Sequence, residues 1–87
     1  MIFTVEKHIN GLMLVSGNTV YIRIDYNLSL NHLGRIQNVG IFVVVNKPSF
    51  HSSVAPIISE LFKAANEEVQ ELTVKYKNKP AESFNRF

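Results

Sequence analysis

Apolar and polar positions alternate with a period of two through much of the first half of the chain, and beyond about residue 54 the spacing lengthens to threes and fours. The first pattern predicts strands and the second predicts a helix. Two breaks punctuate the alternation. Asn10-Gly11 is a dipeptide suited to a two-residue hairpin loop, and Gly17-Asn18 has similar turn chemistry. They divide the region into strands at about residues 2–9, 12–16 and 19–26, joined as an antiparallel meander. Leu28 and Leu30 continue the alternation of Ile22, Ile24 and Tyr26, so the third strand extends towards residue 30, with the turn in Asn31-His32-Leu33-Gly34-Arg35.

If both early turns are two-residue loops, the register follows. Ile9 then faces Leu12 and Lys7 faces Leu14. Across the second turn Val15 faces Val20, Met13 faces Ile22 and Leu14 faces Tyr21. One sheet face would carry Met13, Val15, Val20, Ile22 and Ile24. The other would carry Val5, Ile9, Leu12, Leu14 and Tyr21, mixed with Lys7 and Arg23. Neither face is cleanly polar, whereas an antiparallel sheet with a solvated side should show one polar set. Residues 39–45, Val-Gly-Ile-Phe-Val-Val-Val, are apolar at both parities, as expected of a fourth strand covered on both sides.

Lys47-Pro48-Ser49 ends that strand. Ser52 or Ser53 is placed to cap a helix, and Pro56 fits only its first turn. The helix is expected over about residues 54–77, stopped before Pro80. Ile58, Phe62, Ala65, Val69, Leu72 and Tyr76 form its apolar stripe, and Ile57, Leu61 and Ala64 widen the stripe in the first half only. The expected fold is α+β: a four-stranded antiparallel, meander-like sheet followed by one long C-terminal amphipathic helix. Residues 1–78 would form a single domain and residues 79–87 a tail, flexible or folded back through Phe84 and Phe87.

The lengths and faces together predict self-association. A helix of about 24 residues spans roughly 36 Å, and a seven-residue strand roughly 23 Å. The last turns, with Val69, Leu72 and Tyr76, would overhang the sheet. One helix covers one sheet face, which leaves Leu12 and Leu14 uncovered, and a symmetric homo-oligomer would supply the cover. The chain has 87 residues and no cysteine, so neither disulfides nor thiolate metal sites can reinforce a small core.

Charge adds a second theme. The net charge is only +2, but Glu60, Glu67, Glu68 and Glu71 precede a basic run of Lys75, Lys77, Lys79 and Arg86. Arg35, flanked by flexible residues, is a candidate phosphate contact. Tyr21 and Arg23, with Tyr26 close by, are candidates for stacking bases and pairing phosphates on a sheet surface, with the basic tail as an arm. His8, His32 and His51 are scattered, without ligand spacing for a metal. Ser49, Ser52 and Ser53 neighbour His51 but read as capping residues. An enzyme would need His32 and His51 to converge near the loop at residues 31–35. No cofactor motif is present.

The expected function is therefore a non-catalytic, self-associating binding protein that inhibits or sequesters a protein or a small anionic, nucleotide-like ligand. It would be an accessory protein of the kind viruses and mobile elements encode. The competing expectation is a module binding RNA or single-stranded DNA. The first residues lack a charged lead before an apolar run, and no apolar run is long enough for a membrane helix, so a cytoplasmic location and no membrane partner are expected.

Overall fold

The structure, a computed structural model, describes residues 2–47 and 52–84. The sequence candidates Ser49, His51, Arg86 and Phe87 lie outside the described residues. Four strands, β1 (Thr4–His8), β2 (Gly11–Ser16), β3 (Thr19–Leu30) and β4 (Ile36–Val45), form one antiparallel sheet in the order β1-β2-β3-β4. A short 3-10 turn, Ser52–Val54, leads into the helix α1 (Ala55–Tyr76), and a second 3-10 turn, Ala81–Ser83, follows it. The expected α+β architecture is the one observed. The N-cap of α1 is Val54 rather than Ser52 or Ser53 and has no side-chain cap bond, and Pro56 does occupy the first turn.

The register differs from the expected one at both hairpins, for separate reasons. In the first hairpin His8 pairs with Gly11 and Lys7 with Leu12, so the loop is Ile9-Asn10 and Gly11 is a strand residue. The reason is spatial. Gly11 runs so close to β3 that a Cβ there would overlap the Ile24 carbonyl oxygen. The glycine is needed for the approach of two backbones rather than for a turn angle. Gly17 does serve its turn, with φ of 60° at the first loop position, as a type II′ hairpin requires.

The second difference reorganises the whole sheet. Val15 pairs with Val20 as expected, but Leu14 pairs with Ile22 and Leu12 with Ile24. Tyr21 is therefore an extra residue on β3, a β-bulge. One additional residue inverts the facing of everything beyond it. Leu12 and Leu14 thus share a face with Ile22, Ile24 and Tyr26, and all five are buried in one cluster with Val39, Val54, Leu61 and Ala65. Leu14 and Ile24 are fully shielded. The opposite face carries Glu6, His8, Arg23, Asp25, Asn27, Ser29 and Asn38 among its paired positions, together with Met13, Phe42 and Val44. The uncovered apolar face deduced from regular pairing does not exist. Leu12 and Leu14 lie beneath the chain's own helix and offer no surface to a second molecule.

The helix does not overhang either. β3 and β4 are longer than the expected strands, at 12 and 10 residues, so their hairpin reaches about 40 Å beside a helix of about 33 Å. α1 packs against β4, β2 and β1. Its last turns are fastened to the free edge of β4: the Val39 N–H donates to Thr73 Oγ1 at 2.9 Å, and the Thr73 hydroxyl donates to Val69 O at 2.7 Å. Contact with β1 at one side of the sheet and attachment to the β4 edge at the other mean that α1 crosses the sheet diagonally. Val69 and Leu72 pack on the core, and Tyr76 meets Phe84 edge-on at 5.0 Å. The result is an elongated molecule of 46 × 21 × 17 Å, with a radius of gyration of 14.6 Å against roughly 12 Å for a compact chain of this length.

Gly11→Ala is expected to lower stability by about 2–3 kcal/mol through overpacking against fixed backbone. Thermal unfolding checks this, with a fall in Tm of roughly 10–20 °C. Gly40→Ala is the milder control, because its Cβ would meet only the movable Asn27 side chain. Thr73→Val is expected to cost about 1–3 kcal/mol by leaving the Val39 N–H without its acceptor. Its signature is faster amide exchange at Val39 than at Ile24.

Candidate functional site

Most of the sequence candidates with positive charge converge on one end of the molecule, where the β3–β4 tip meets the end of α1. The tip is ordered by Asn31. Its side-chain oxygen accepts the backbone N–H groups of Leu33 at 2.9 Å and Arg35 at 3.0 Å. Gly34 donates to Asn31 O at 3.0 Å and adopts a φ of 73°. Such an asparagine at the head of a tight loop substitutes its side chain for backbone acceptors.

The helix terminus is built to meet this tip. Lys79 N–H donates to Tyr76 O at 3.0 Å. Lys77 lies at φ −55° and ψ 132°, and Asn78 is left-handed at φ 68°. These angles define a type II turn, whose third position favours glycine or asparagine. The turn presents Asn78 N–H to Ile36 O at 2.8 Å, and Ile36 N–H returns to Lys79 O at 2.9 Å. Arg35 completes the clasp by donating from Nη1 to Asn78 O at 2.9 Å.

Through this clasp Arg35 joins Lys75, Lys77 and Lys79, from which it is separated by some 40 positions in sequence. All four are exposed. The ammonium groups of Lys75 and Lys79 lie 5.3 and 5.6 Å from the centroid of the Tyr76 ring. That arrangement favours cations over a π face, and cations at a helix C-terminus also complement its dipole. None of the four forms an ion pair among the described residues; the two ion pairs present there both involve Asp25. Arg35 uses one guanidinium hydrogen on Asn78, so most of its five donors remain for a ligand.

The proposed nucleic-acid face on the sheet is not assembled. Tyr26 is in the core at 9% exposure. Tyr21 packs towards the same core, edge-on to Phe3 at 5.0 Å. Arg23 is on the opposite face, where its Nε donates to Asp25 Oδ1 at 2.8 Å. The bulge that separates these side chains is the same one that gathers the core. Lys7 pairs opposite Leu12 rather than joining Arg23.

One cluster escaped the sequence reading. His8 lies with Nε2 at 3.5 Å from Asp25 Oδ1 and 3.1 Å from Ile24 O, while its Nδ1 accepts the Asn10 N–H at 3.1 Å. The acceptor role of Nδ1 places the proton of the neutral ring on Nε2. The cross-strand line His8–Gly11–Asp25 brings the two side chains together over the residue without a side chain. Correct pairing of Gly11 was the signal that would have revealed it. Both ring nitrogens are engaged locally, so the imidazole ties the first loop to β3. Among the described residues no group of three or more His, Cys, Asp or Glu side chains is placed to hold a metal ion, and no helix is long and apolar enough to cross a membrane.

No protein-family model, no curated protein and no solved structure matches this chain, so its reading rests on the geometry of the basic end itself.

Proposed function

We propose that this chain is a non-catalytic binding protein that holds an anionic, phosphate-bearing ligand of nucleotide type at its basic end. The observation that carries this reading is the Arg35–Asn78 hydrogen bond, which gathers Arg35 with Lys75, Lys77 and Lys79 at one tip of an elongated molecule. A guanidinium held by its own fold is pre-organised for the planar, multidentate recognition of phosphate, and lysines around it add point charge. Dipole complementarity accounts for a cation or two in the last helical turn. It does not account for an arginine brought in from a distant hairpin tip.

The reading of a sheet-surface module for single-stranded nucleic acid loses its support, because its aromatic and basic members point to different sides. The basic end retains a phosphate-recognition role without a row of exposed rings on which bases would stack.

The test is fluorescence anisotropy with a labelled nucleoside triphosphate, and in parallel with a labelled single-stranded oligonucleotide, at low and at physiological salt. The triphosphate is expected to bind at low salt and to weaken as salt rises, through screening of exposed charge. Arg35→Gln is expected to weaken it about tenfold, the scale of one charge-assisted hydrogen bond. Arg23→Gln on the opposite face is expected to change little. Absence of any anisotropy change at low salt contradicts the reading, as does equal loss from both substitutions.

A further inference from the structure

We infer that residues 41–45 of β4 form a docking edge for a second copy of this chain, which pairs antiparallel with its own equivalent across a two-fold axis at Val43.

A sheet edge presents unpaired main-chain groups, and folded proteins normally protect it with charge, proline, a bulge or a covering element. The two edges here are treated differently. β1 carries Glu6, Lys7 and His8 within its five residues, which discourages strand addition. Among the described residues, β4 is protected only over its first half. There Ile36 exchanges hydrogen bonds with Asn78 and Lys79, and Val39 is taken up by Thr73. Beyond that point the even-numbered residues turn their main-chain groups towards β3, as Asn46 N–H does to Tyr21 O at 2.8 Å. Ile41, Val43 and Val45 therefore turn theirs outward, where no described residue bonds them. α1 bonds the β4 edge through Thr73, near its C-terminus, and no described helix residue bonds the main chain of residues 41–45.

The segment, Ile-Phe-Val-Val-Val, carries no charge, proline or glycine. Its occupant must be an equally uncharged extended strand, and a second copy supplies one in matching register. With the axis at Val43, Val43 meets its counterpart, and Ile41 meets Val45 of the other copy on either side. Each of these three pairs exchanges two main-chain bonds, about six in all. Phe42 then lies directly across from Val44 of the other copy on the outer face. This contact covers the exposed Phe42 ring, and the pairing also covers Val45; they are 59% and 50% exposed in the single chain. The pairing stops at Val39 on each side, where Thr73 occupies the outward groups.

This inference does not rest on the anionic-ligand reading, since the basic end is at the opposite end of β4. Sedimentation equilibrium at tens of micromolar is expected to give twice the 9.9 kDa chain mass. Phe42→Lys combined with Val44→Lys places like charges directly opposite each other and is expected to give the monomer mass, with an unchanged far-UV spectrum because both side chains point away from the core.

Register is tested with single cysteines in a chain that otherwise has none. Phe42→Cys and Val44→Cys proteins, mixed and oxidised, are expected to form the mixed disulfide in several-fold excess over either symmetric one. The non-hydrogen-bonded pair places the two Cα atoms about 4.5 Å apart, within disulfide reach. A monomeric native protein, a dimer that survives the double lysine substitution, or a statistical mixture of disulfides overturns the inference.

Discussion

A single supernumerary residue, Tyr21, decides what kind of surface this protein has. Without it the apolar side chains of β2 and β3 would fall on opposite sides of the sheet, and one helix could not shelter them all. With it, Leu12, Leu14, Ile22, Ile24 and Tyr26 meet in one cluster. The remaining face can then hold the exposed Arg23, the half-buried pair His8 and Asp25, and several amides. The bulge needs support, because it leaves one residue outside the β2 ladder. Tyr21 finds that support on its other side, where its carbonyl accepts Asn46 N–H, and through its ring, which meets Phe3. A full set of apolar contacts on one side is the compensation for a locally broken ladder.

The second organising feature is the length of the β3–β4 hairpin. It carries the sheet out to the end of the helix and lets the hairpin tip and the helix C-terminus fasten to each other. Thr73 at the edge of β4, the turn at Asn78 and the guanidinium of Arg35 form a continuous clasp. The clasp uses main-chain groups, the Thr73 hydroxyl and the Arg35 guanidinium, and among the described residues the lysines around it form no ion pair. That is how an unremarkable net charge becomes a concentrated one at a single end. No described residue bonds the outward main-chain groups of the other half of β4, so along one strand a charged tip gives way to an apolar edge.

Much of this was legible in the residues. The alternation from Ile22 to Leu30 located the full length of β3, and the three- and four-residue spacing from Ile58 to Tyr76 located α1 to within a residue or two. The sheet order followed from its short turns. Side-chain facing was not legible, because it depends on parity, and a bulge changes parity without leaving a mark in composition. Gly11 misled for a related reason: beside asparagine it resembles a turn residue, whereas its role is to let β3 pass close by. Arg35 and the lysines were each visible as cations. Their juxtaposition was not, since it depends on where a long hairpin ends relative to a helix.

Methyl-resolved nuclear Overhauser spectroscopy on protein labelled at leucine, isoleucine and methionine methyl groups tests the bulged pairing most directly. Strong cross-peaks are expected between Leu14 and Ile22 and between Leu12 and Ile24, with further peaks from Leu14 and Ile24 to Leu61. Cross-peaks joining Met13 to Ile22, with none between Leu14 and Ile22, would mean a regular ladder and two apolar faces, and would contradict the account.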